Sequence, residues 1–148
     1  MNKLLLFFTL FSLDLVSKYF IKNYISLNQA IELNTFLDIV YVQNPGVSFG
    51  LFSETISPWY LVLIGLLIVF FIFYLMIFSN KILEKLAYFV IIIGALSNIT
   101  DRAINSYVVD FISIHYKNYH WPAFNLADIY ITIGIIMLIM SFFIKSKE

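Results

Sequence analysis

The chain is 148 residues long, 61% apolar and only 12% charged, with a mean hydropathy of +0.91. A soluble domain is typically about half apolar and a quarter charged, so this composition marks an integral membrane protein. The net charge of zero leaves no polybasic surface for nucleic acid, and the absence of cysteine excludes a disulfide framework, a thiolate nucleophile and a cysteine metal site.

The first apolar run, residues 4–21, is interrupted only by Asp14 and Lys18 near its end. Lys3 ahead of it resembles the start of a secretory signal. No small-x-small cleavage site follows, however, and the polar pair sits where such a segment would close, so the run reads as a retained helix. Residues 28–54 come next. The stretch Phe36-Leu-Asp38-Ile-Val-Tyr-Val42 is rich in β-branched and aromatic side chains, Asn44-Pro45-Gly46 supplies a turn, and residues 48–52 are expected as a short amphipathic turn in the interface. Residues 59–78 form an uncharged run of twenty, the length a helix needs to cross about 30 Å of hydrocarbon. The third and fourth runs are 82–99 and 126–144. An isolated strand cannot satisfy its backbone in lipid, so each long run reads as a helix. The expected fold is an all-α membrane protein with one domain over 1–148. It has four transmembrane helices and a small extracytoplasmic β-rich cradle and flap between helices one and two.

Orientation follows from lysine placement. Lys3, Lys81, Lys85, Lys145 and Lys147 fall on one side, on short flanks, whereas Lys18, Lys22, Arg102 and Lys117 are spread over longer stretches on the other. The positive-inside rule then puts both termini in the cytoplasm and the two longer loops outside. Trp59, Tyr60, Tyr116, Tyr119 and Trp121 lie near that outer boundary and read as interfacial anchors.

The remaining polarity gathers at the outer end. Asp110 and Asp128 sit in short polar islands beside apolar runs, where an ionisable group is costly and therefore a site candidate. Two carboxylates close enough to converge suit a pair working as acid and base; the alternative is two loop or cap aspartates that never meet. Asp14 and Lys18 share a helical face at i,i+4, as an ion pair at a site or as a snorkelling lysine with its partner. Asn98, Asp101 and Arg102 stand at i, i+3 and i+4, and the planar fork of Arg102 can hold a carboxylate or a backbone carbonyl. Asn125 and Asp128 are three apart. His115 and His120, five apart, are poorly spaced for a shared helical metal face and read as surface or interface histidines.

Five blocks then occur in order: Asp14-Leu-Val-Ser-Lys18, Asn44-Pro-Gly46-Val-Ser-Phe49-Gly50, Gly94-Ala-Leu-Ser-Asn98-Ile-Thr-Asp101-Arg102, Val109-Asp110-Phe111-Ile112 and Phe124-Asn125-Leu-Ala127-Asp128. With them the chain resembles, along essentially its whole length, the lipoprotein signal peptidase (signal peptidase II) family of bacterial membrane aspartyl peptidases. The resemblance implies a catalytic dyad of Asp110 and Asp128. It also implies a site lined by Asn44, Gly46, Asn98, Arg102 and Asn125, with Asp14 and Lys18 in support. Asp101 is expected to support the site through its effect on Arg102. The absent cysteine and the poor histidine spacing lead to the expectation of no metal, and no cofactor is expected. The partners the resemblance implies are diacylglyceryl-modified prolipoproteins and membrane lipids, in a bacterial cytoplasmic membrane with the site near the outer face. Departures stand at Ile93, Ser97 and Ile129, where the family usually has small residues, and they loosen the expectation of close helix packing. The competing readings are a non-enzymatic assembly subunit, a catalytically impaired paralogue, an ion conductor, and a metallopeptidase using Asp101, Asp110, Asp128 and His115. A conductor should place its acids along the depth of the bundle, whereas Asp14, Asp101, Asp110 and Asp128 all gather at one end.

Overall fold

Asn2 starts the first helix: its Oδ1 accepts the Leu4 N–H at 3.0 Å, and α1 runs Lys3–Tyr24. Pro58, whose missing N–H costs nothing in a first turn, opens α2, Pro58–Phe78. The other two helices are α3, Ile82–Asn105, and α4, Leu126–Phe143, and all four are long and apolar enough to cross a membrane. This computed structural model describes residues 2–46, 57–117 and 119–143. The expected interfacial turn at 48–52, the far part of the cradle, the last residue of the fourth apolar run and the tail lysines Lys145 and Lys147 lie outside the described residues.

Helix α3 continues six residues past the expected end at Ile99. The polar residues that break its apolar run find side-chain and backbone partners, so they do not terminate the helix. It stops where Ser106 adopts a left-handed conformation (φ 68°) and donates its N–H to the Arg102 carbonyl at 2.8 Å.

Among the described residues, four antiparallel strands, β1 Ala30–Asn34, β2 Leu37–Asn44, β3 Val108–Tyr116 and β4 Tyr119–His120, lie in the order β1-β2-β3-β4. This corrects the all-α expectation with a cradle confined between helices one and two: β3 and β4 come from between α3 and α4. Pairing sets Asn44 opposite Val108 and Val42 opposite Asp110, with a register shift between Ile39 and Val42. One strand therefore carries Asn44 and its neighbour carries Asp110, side by side.

Helix α3 is the hub. A Cβ added at Gly94 would sit 2.4 Å from the Ala127 carbonyl oxygen, and one at Gly134 would sit 2.8 Å from that of Ala87, so α3 and α4 approach backbone to backbone. The departures at Ile93 and Ser97 do not loosen this contact. Ile93 is fully buried in a core with Val90 and Tyr130, against Phe7, Leu10 and Phe11 of α1. The close approach fixes the start of α4, and with it Asp128, against the polar end of α3.

Candidate active site

The N-terminal end of α4 is held by a buried charge. Asp14, fully inaccessible, accepts the Ala127 N–H at 2.9 Å, the Ser97 hydroxyl at 2.6 Å and the Lys18 ammonium at 2.7 Å. One carboxylate thus joins α1, α3 and α4, and the expected Asp14–Lys18 pair is present. Lys18 Nζ also donates to Asn98 Oδ1 at 2.7 Å, and Asn98 Nδ2 donates to Asp128 Oδ1 at 2.9 Å. The ammonium therefore fixes which way the Asn98 amide points, and so which group it offers to Asp128.

Asp110 is placed by the sheet. The Val109 N–H donates to Asp101 Oδ2 at 2.8 Å, which pins the start of β3 to α3. Asp110 then accepts Asn44 Nδ2 at 3.0 Å and Asn125 Nδ2 at 2.7 Å. Burial, and next the charge of Asp128, push its pKa up to about 6.

Asn125 connects the two acids. Besides its side-chain bond to Asp110, its backbone N–H donates to Asp128 Oδ2 at 3.1 Å, and its Oδ1 accepts the Asp128 N–H at 3.1 Å. It is fully buried, so its geometry is set by packing. Arg102 donates through Nη2 to the Gly46 carbonyl, fastening the turn after β2 to α3. Its fork takes the carbonyl alternative rather than a carboxylate.

These groups form the floor of a cleft of about 1210 Å³. Asn44, Asn98, Arg102, Asp110, Asn125 and Asp128 all line it. Its walls are apolar, from Ile68 on α2, Ile129 and Ile133 on α4, and Trp121 to Phe124 ahead of α4. Such a cleft accepts a largely apolar chain and directs two carboxylates and several amides at one point along it. Gly46 is buried in the turn, and Asp14, Lys18 and Asp101 stand behind the floor.

Asp101 makes its hydrogen bonds away from Arg102: one of its oxygens accepts Asn105 Nδ2 at 2.7 Å, and the other takes the Val109 N–H and lies 3.7 Å from Lys18 Nζ. It positions β3. His115 Nε2 lies 3.3 Å from Asp38 Oδ2, a contact that spacing alone did not suggest. Sequence reasoning also missed Ser97 as a donor to Asp14 and Asn105 as a partner of Asp101. The second was visible as an i,i+4 pair; the first depends on how α1 meets α3.

A family model described as signal peptidase (SPase) II matches residues 6–144. A lipoprotein signal peptidase of Thermodesulfovibrio yellowstonii is 39% identical over 132 residues, spanning 89% of this chain and 88% of the relative. One from Francisella tularensis subsp. novicida is 37% identical over 142 residues, spanning 91% and 88%. Among solved structures, a bacterial membrane enzyme determined by the in meso method superposes with a TM-score of 0.87 at 28% identity, covering 99% of this chain and 93% of that one.

Proposed function

The chain belongs to the signal peptidase II family, and from that premise we propose that it is an aspartic endopeptidase that cleaves the signal peptide from diacylglyceryl-modified prolipoproteins, just before the lipidated cysteine. The observation that carries the aspartic mechanism is Asn125, a buried amide hydrogen-bonded to both Asp110 and Asp128 on the floor of an apolar-walled cleft.

Two carboxylates so placed resist ionising together and hold one proton between them. The ionised member takes a proton from a water as its oxygen adds to the scissile carbonyl, while the protonated member donates to the carbonyl oxygen. Collapse of the tetrahedral adduct breaks the C–N bond: the proton taken from water passes to the leaving amine, and a hydroxyl of the adduct returns its proton to the second aspartate, restoring the one-proton pair. Asn98 and Asn125 orient the acids, and the Arg102–Gly46 bond holds the rim of the cleft near them. The apolar walls keep acyl chains and signal helix in a lipid-like setting as the bond reaches the polar floor.

The reading places both termini in the cytoplasm and the sheet and cleft at the outer face of a bacterial cytoplasmic membrane, with the whole chain acting as one peptidase unit. In this thiol-free chain, cysteines at Asn80 and Ser26 should label from opposite sides of the membrane; labelling of both from outside would overturn the topology.

Activity is tested on the purified protein with a prolipoprotein carrying or lacking its diacylglyceryl group. The lipidated form should be cut and the bare form cut poorly, with no loss under exhaustive chelation. Among the described residues no cluster of three or more His, Asp or Glu side chains is placed to hold a metal. Loss under chelation, restored by zinc, would replace this reading with a metallopeptidase.

A further inference from the structure

The two histidines take no part in the chemistry above, yet the sheet brings them together. In the β3–β4 ladder His115 pairs with His120 and Tyr116 with Tyr119. The imidazole rings stack with centroids 5.3 Å apart and planes at 28°. His115 Nε2 lies 3.3 Å from Asp38 Oδ2 on β2, and both side chains are largely covered, whereas His120 is exposed. Two imidazoles and one carboxylate thus link three strands.

From His120 the chain runs straight into the wall of the cleft. The Trp121 N–H donates to the Ile114 carbonyl at 2.8 Å, and Phe124 exchanges hydrogen bonds with Ile112 at 3.0 and 2.8 Å. Residues 121–124 all line the cleft, immediately before Asn125 and Asp128.

We propose that His115 and His120 are positioning residues for substrate binding: with Asp38 they clasp β4 to the sheet, hold the wall of residues 121–124 in place, and release it when the pair takes up a second proton. The proposal rests on the peptidase reading of the cleft. Histidine is the side chain that ordinarily changes charge between pH 5 and 8. One proton on the pair gives an imidazolium facing Asp38 with a neutral ring stacked on it. A second puts two like charges one ring-stack apart, and a single carboxylate cannot neutralise both. Glu32 of β1 stands opposite Asp38 in register and adds a second negative charge on that side. Lys117, with its ammonium over the Tyr116 ring at 5.5 Å, supplies a positive charge at the same end of the sheet. Tyr116 and Tyr119 stand beside the pair on β3 and β4, and the other titratable groups of the sheet, Tyr41 on β2 and Asp110 on β3, lie further along those strands.

The test uses the full chain in lipid nanodiscs with Trp59→Phe, so that Trp121 is the emitter, and follows emission and the KM for a diacylglyceryl prolipoprotein from about pH 7.5 to about pH 5. In the parent, Trp121 emission should shift and KM should rise roughly tenfold as the second proton binds. In His120→Gln, which cannot take that proton, both should stay within about twofold over the same range. Titration of the dyad appears in kcat and should be common to both proteins. The same pH dependence of emission and KM in parent and His120→Gln would overturn the clasp. Should the parent cleave no lipidated substrate, the peptidase reading fails, and Trp121 emission still decides the clasp by itself.

Discussion

Asp14 and Asp110 are buried carboxylates at the same end of the bundle, 0% and 4% exposed, and they sit in opposite electrostatic settings. Asp14 meets an ammonium, a hydroxyl and a backbone N–H, at 2.7, 2.6 and 2.9 Å. Asp110 meets two neutral amides, and the charge that perturbs it most is that of a second carboxylate. The first is compensated in full and ties helices together. The second is left short of compensation, which makes it ready to exchange a proton. Depth in a membrane protein does not separate a structural acid from a reactive one; the number and charge of its donors do.

The largest way to break that contrast is to remove the compensation. Lys18→Met leaves Asp14 buried without its cation and should cost about 3–5 kcal/mol, the penalty for deleting one partner of a buried pair. Thermal unfolding in detergent reads this directly, and an unchanged Tm would show that the pair does not anchor the fold.

Asp110→Asn should act in the opposite sense. The folded pKa of about 6 stands above the ordinary 3.8. Between those values the native state keeps a proton that the unfolded chain has released, so the parent loses stability as pH rises across the window. Asparagine does not titrate. The variant should therefore gain on the parent as pH is raised from about 4 to about 7, by on the order of 3 kcal/mol at most. A Tm difference that is flat with pH would mean Asp110 is as well compensated as Asp14.

The helices were legible from the sequence because an apolar run of membrane length has few other solutions. The end of α3 was not. Asn98, Asp101 and Arg102 look like a boundary in a hydropathy pattern, and only the partners supplied by α1, β2 and β3 let the helix continue to Asn105. Strand β3 was hidden for a related reason. Val108–Tyr116 becomes a strand through pairing with β2, some seventy residues earlier in the chain. Around the candidate site, residue types and spacing were enough to name Asp110, Asp128 and the amides near them. The division of labour was not readable. That Asn125 touches both acids, and that Asp101 holds the backbone at Val109 instead of Arg102, depends on how α3, β3 and the start of α4 are set against one another.

The claim that Asp110 and Asp128 share the proton work is tested most directly by single replacement in a cleavage assay on a diacylglyceryl prolipoprotein. Asp110→Asn and Asp128→Asn preserve shape and nearly preserve volume while removing the ionisable group. Each should lower the cleavage rate by about 10²–10⁴-fold, the scale of a lost general acid or base, in protein that still inserts and unfolds cooperatively. Near-parental cleavage by either variant would contradict the aspartic mechanism.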